Sequence, residues 1–200
     1  VYDYASKILA EPESSEYKSS APLIKAMLNY GGYAQTYFNE NTDALANKGL
    51  YNKTNDPVLT TNTTVSKDYN YAVFNNNMGV SFLGGSLVLN SGTDLKLYYS
   101  MDDQNMANNI NVSVNGQNVA PEYDGNIMCV RVPDISISSL GDTYNVKMSV
   151  NGKEINQKYS AMTYMYKALN AQNSNTKLNN VVKALYLYNE AAKQYSMGIE

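Results

Sequence analysis

The chain has 200 residues, a formal charge of −3 and a pI near 5.0, with 19 Tyr, no Trp and no His. That charge argues against a nucleic-acid binder, which needs a basic surface. The missing histidine excludes Ser-His-Asp and Cys-His catalysis, imidazole metal ligands and the usual neutral-pH general base.

Apolar residues make up 44% of the chain, enough to build a core, yet no run approaches the roughly 18 apolar residues of a membrane span. The sequence opens on Val1 and therefore reads as an excised or processed segment of a longer protein. Its abundance of Tyr, Asn and Lys beside one Arg matches the codon usage of an AT-rich genome and the polar surface of secreted bacterial proteins. One cysteine, Cys129, rules out an intramolecular disulfide, so packing has to supply the stability.

Three regions differ in period. Residues 1–48 read as helices, 57–159 as strands and 160–197 as helices again. In VYDYASKILA, Val1, Tyr4, Ala5, Ile8 and Leu9 share one face. EPESSEYKSS follows as a polar loop, after which Ser19 or Ser20 is placed to cap a helix with Pro22 in its first turn. Leu23, Met27, Tyr30, Ala34 and Tyr37 then form a sustained helical stripe. The stripe runs through Gly31-Gly32, although each Gly costs about 1 kcal/mol relative to Ala in a helix interior. Gly31 falls in the row Ile24, Leu28, Gln35, Phe38 and is expected to be buried at a close approach. Gly32 falls with Lys25, Asn29 and Thr36 on the polar face. TDALANK reads as a short helix ending at Gly49.

The middle region alternates with period 2. YAVF (71–74), GVSFL (79–83), SLVLN (86–90), DLKLYYSM (94–101) and NIMCVRV (126–132) read as strands. Ile110, Val112 and Val114 alternate with Asn111 and Ser113 before Asn115-Gly116. Tyr144, Val146, Met148 and Val150 alternate with Asn145, Lys147 and Ser149 before Asn151-Gly152, which leads into KEINQKY. Asn-Gly is the preferred two-residue hairpin loop because both positions take positive φ. The order Leu140, Asp142, Tyr144 at the entry of an alternating strand resembles the tyrosine-corner region of immunoglobulin-like sandwiches. On that reading 126–132, 144–150 and 153–159 are the E, F and G strands.

Ser160 caps a short helix, SAMTYMYKALN. The last helix repeats the first stripe: Val181, Leu185, Tyr188, Ala192 and Tyr195 follow Leu23, Met27, Tyr30, Ala34 and Tyr37 at constant offset. The two helices are expected to pack on each other, closing the chain around the strands, with Ala34 and Ala192 allowing a close crossing. The expected fold is therefore α+β: an immunoglobulin-like antiparallel sandwich flanked by helices from both chain ends, residues 1–200 forming one compact unit.

KAMLNYGGYAQTYFNENTDALANKGL, VNGKEINQKYSAMTYMYKAL and LNNVVKALYLYNEAAKQY together resemble a helix-flanked β-sandwich module of large secreted or surface proteins of Gram-positive gut bacteria. In those proteins it often lies beside carbohydrate-active or leucine-rich-repeat regions. The resemblance implies an extracellular or cell-surface location and a supporting role. It carries over no catalytic, cofactor or metal residue. The partners it implies are other domains of the parent protein, a glycan or another protein.

The residues themselves offer four sites to weigh. Glu122, Asp124, Asp134 and Asp142 supply carboxylates, and a glycosidase needs two that face each other. Asp142 has a structural role at the corner, and Asp124-Gly125 reads as a turn. MDDQNMANN and YDGN offer oxygens that suit a hard cation, but neither has EF-hand spacing, so at most a weakly held ion such as calcium is expected. Cys129 sits in an apolar run and reads as an inert buried thiol. Tyrosine is the route to a ligand: Tyr69 and Tyr71 share a face of one segment, and Tyr98 and Tyr99 alternate across another, so Tyr69, Tyr71 and Tyr98 are the candidates for stacking on a sugar. The expected function is a non-catalytic accessory, interaction or spacer module. The alternatives are a carbohydrate-binding module and a carboxylate-based glycoside hydrolase.

Overall fold

The computed structural model describes residues 2–40, 57–60, 62–75, 78–89, 92–172 and 175–198. Packing divides the chain into two compact units, one of residues 1–65 with 167–200 and one of residues 66–166. The expected TDALANK helix lies outside the described residues.

The first unit is helical. It contains α1 (Tyr2–Leu9), α2 (Ser15–Tyr37), the single turn α3 (Pro57–Thr60) and α5 (Thr176–Ser196). The helix α2 begins five residues before Ser20. Its cap is Ser14, whose Oγ accepts the Tyr17 N–H at 3.1 Å, and Glu16 adds a favourable charge in the first turn. Pro22 consequently lies inside the helix and has no N–H to give the Lys18 carbonyl. The helix continues unbroken through Gly31 and Gly32, and both are half-buried. Ala5 and Ile8 of α1 bury against Ile24 and Leu28 of α2.

The pairing of α2 with α5 is observed: the Tyr30 and Tyr188 rings stack at 5.8 Å. The helices run antiparallel, because the α5 N-terminal residue Lys177 donates to Asn39, just beyond the C-terminus of α2, at 2.7 Å. An antiparallel pair reverses the repeat, so the constant offset holds at Tyr30 and Tyr188 and fails elsewhere. Ala34 falls at the level of Ala184, which is buried, rather than of Ala192, which is half-buried. Tyr195, expected in the core, is half exposed.

Among its described residues the second unit holds eight strands, all antiparallel: β1 (Val80–Leu89), β2 (Thr93–Met101), β3 (Ile110–Val114), β4 (Gln117–Val119), β5 (Glu122–Asp124), β6 (Ile127–Ile135), β7 (Tyr144–Val150) and β8 (Lys153–Tyr159). They form two four-stranded sheets in the orders β1-β2-β6-β5 and β4-β3-β7-β8. Alternate residues are buried, among them Leu95, Leu97 and Tyr99 on β2, Met128 and Val130 on β6, and Val146, Met148 and Val150 on β7. Phe82 and Gly85 on β1 meet Tyr159 on β8, so the buried faces look toward each other at that edge.

Both Asn-Gly pairs are hairpin turns, with positive φ at Asn115, Gly116, Asn151 and Gly152. The Asn115 side chain also accepts the Asn145 N–H at 2.8 Å, tying that turn to β7. GVSFL and SLVLN join into one strand across a bulge at Leu83, which is pushed out to 56% exposure. The NIMCVRV strand extends to Ile135 through a second bulge, where Pro133 needs no ladder partner and Asp134 has φ 56°. YAVF is not a strand. Its residues pair with no ladder and anchor instead through side chains, Tyr71 to Thr143 and Phe74 stacked on Tyr99 at 5.9 Å. Ser160 caps α4 (Ala161–Leu169) as expected, accepting the Thr163 N–H at 3.0 Å.

Candidate functional site

The three candidate tyrosines fall in two places. Tyr69 ends a short 3-10 turn, Lys67–Tyr69, and its hydroxyl lies against Gly141, where even a Cβ would come within 2.7 Å. Tyr71 shares a hydrogen bond with Thr143 Oγ1 at 2.8 Å. Both therefore pin the segment before β1 onto the corner between β6 and β7. The Tyr71 hydroxyl is hydrogen-bonded there, the Tyr69 hydroxyl packs against Gly141, and both residues are half-buried.

Tyr98 lies elsewhere, on the face of β2 turned away from the buried Leu97 and Tyr99. Its cross-strand neighbours are Cys129 on β6 and Gly84 on β1, and Glu122 on β5 lies beyond Cys129. Gly84 has no side chain and open space above it. Tyr98 lies directly opposite Cys129 in the ladder. Burial raises the pKa of the Cys129 thiol, and Glu122 adds to this while Lys96, Arg131 and Tyr98 oppose it, so the net result is a protonated, weakly nucleophilic group.

Two ion pairs flank this row. Lys96 lies 3.9 Å from Glu122, and Arg131 clasps the buried Asp94 through Nε and Nη2. The Asp134 backbone N–H, turned inward by the bulge, donates to Asp94 at 2.9 Å. That bond, then Arg131, holds the Asp94 carboxyl below its usual pKa of 3.8 against the opposing cost of burial. Arg131 is the chain's one arginine, and its planar fork brings Nε and Nη2 together onto Asp94 Oδ2, leaving Oδ1 for the Asp134 N–H.

The four carboxylates singled out from the sequence have separate placements. Glu122 pairs with Lys96, and Asp124 ends β5 at the turn into β6. Asp134 occupies the bulge, and Asp142 donates its N–H to the Ser139 carbonyl in the corner. In MDDQNMANN, Asp103 caps its own turn by accepting the Asn105 backbone N–H at 2.9 Å. Among the described residues, no group of three or more Asp, Glu or Cys could hold a metal ion. No described helix is long and apolar enough to cross a membrane.

Two features escaped the pattern. Tyr123, on the three-residue strand β5, is the most exposed tyrosine described in the second unit, at 40%. A strand of three residues shows no readable alternation. Gln157 sits on the buried face of β8 between Ile155 and Tyr159; its place in the period, E-I-N-Q-K-Y, was the available signal. Comparison with known proteins finds no matching family model, no significant match among curated proteins and no significant match among solved structures.

Proposed function

We propose that residues 66–166 form an immunoglobulin-like sandwich, and that the chain serves as a non-catalytic accessory, interaction or spacer module of an extracellular bacterial multidomain protein. The strand order carries the architectural reading. Taking β1 to β8 as A, B, C, C′, D, E, F and G, the sheets run A-B-E-D and C′-C-F-G, the immunoglobulin arrangement. Tyr144 opens the F strand, where the corner tyrosine is expected.

Fold alone does not assign function. The non-catalytic reading is supported by what the reactive groups do. Asp94 binds Arg131 and the bulge, Glu122 binds Lys96, Asp103 caps a turn, and the Cys129 thiol stays protonated. The extracellular Gram-positive setting rests on the sequence resemblance.

One observation favours the carbohydrate-binding reading. Tyr98 lies beside the open space over Gly84, and the adjacent charges are already paired, which suits a neutral ring stacked on an aromatic face. A glycan array probed with the wild type and with Tyr69→Ala, Tyr71→Ala and Tyr98→Ala separates the readings. The accessory reading expects no glycan bound. Binding that Tyr98→Ala removes would replace it with the second reading.

A further inference from the structure

The carboxamide of Gln157 is buried on the inner face of β8, 4% exposed, and neither its nitrogen nor its oxygen has a hydrogen-bond partner. The cross-strand neighbour Val146 and the same-face neighbours Ile155 and Tyr159 are all buried. On the facing sheet the Tyr99 hydroxyl, fully buried, also lacks a partner. Phe82 packs against both Tyr99 and Tyr159, at 5.3 and 5.6 Å, so these groups belong to the same stretch of the interior.

A buried amide left without hydrogen-bond partners is costly, and such groups in folded chains are almost always paired with protein or ordered water. We propose that Gln157 holds an ordered water between the two sheets. A water donates to Oε1 and accepts from Nε2, which matches the two free functions of one carboxamide. Close packing by Val146, Ile155 and Tyr159 disfavours a larger occupant. Internal waters are a regular feature of folded chains, about one per 27 residues, and typically make about three hydrogen bonds. The site would also fix the register of β8, because a one-residue slip would turn the hydrated amide outward and bury a neighbour.

A high-resolution crystal structure of the full chain tests this directly. The expected result is density for a water within about 2.7–3.2 Å of both Gln157 polar atoms. Carboxamide atoms that face only carbon would overturn the proposal. The melting temperature of Gln157→Leu gives an independent reading. A hydrated amide predicts an unchanged or lower value, because leucine removes satisfied bonds. A rise of about 2–4 °C, the shift expected when roughly 1 kcal/mol of unmet burial is relieved in a chain of 200 residues, would contradict it.

Discussion

Asp94 shows how a single ionised group holds a bulge in place. Its carboxylate accepts the Asp134 N–H and both Arg131 nitrogens, so the fold favours the charged form and lowers its pKa below 3.8. The stability it contributes is fully present above 3.8 and is lost as pH falls through the lower folded value. Asp94→Asn should therefore be less stable than the wild type at pH 7, with the difference shrinking toward zero in strong acid. Urea denaturation at a series of pH values measures this. Gly85 makes a second residue-level prediction. A Cβ there would meet the Tyr159 ring at 3.0 Å, and that ring is buried against Phe82. Gly85→Ala should cost about 1–3 kcal/mol by overpacking, read as a lower denaturation midpoint. Neither role was legible in the sequence. Asp94 and Arg131 are far apart in the chain, and the adjacent glycines Gly84 and Gly85 give no hint of which one faces inward. The Asn-Gly turns were legible because their chemistry is local.

At the scale of elements, period decided most of the outcome. Strands Ile110–Val114, Tyr144–Val150 and Lys153–Tyr159 match the alternation to the residue. YAVF has the right residue types but no partner, and a strand exists only where a ladder forms. The α2 and α5 helices were legible as a packing pair, but direction was not, since a stripe looks the same along either orientation. The antiparallel arrangement predicts that Ala184→Leu destabilises by about 1–3 kcal/mol while Ala192→Leu costs clearly less, both measured by thermal unfolding. The same interface should respond to alkali. Burial and then Tyr188 push the Tyr30 hydroxyl from 10.0 up to about 12. Stability from the neutral phenol is fully present below pH 10 and is lost as pH rises toward 12. Helical circular dichroism should decline across that interval together with the late rise in tyrosinate absorbance, and Tyr30→Phe should remove that part of the decline.

For the whole molecule, the two compact units and the strand order matter most. The helical unit is assembled from both ends of the chain, and the sheets occupy a continuous middle segment. Local periodicity shows helices around strands but does not mark where packing separates them, at Val65–Ser66 and Tyr166–Lys167. The candidate site was partly legible: Tyr98 was named from alternation alone, but its glycine neighbour depends on register across β1 and β2. The immunoglobulin-like reading rests on which strands are neighbours. Interstrand Hα–Hα and amide NOEs from an isotopically labelled full chain measure that most directly. The account predicts cross-strand contacts for Tyr98 with Cys129, Cys129 with Glu122, Val112 with Met148 and Met148 with Ile155. Contacts pairing Val80–Leu89 with Lys153–Tyr159 in one ladder would contradict it, because they would join the two sheets and abolish the A-B-E-D and C′-C-F-G order.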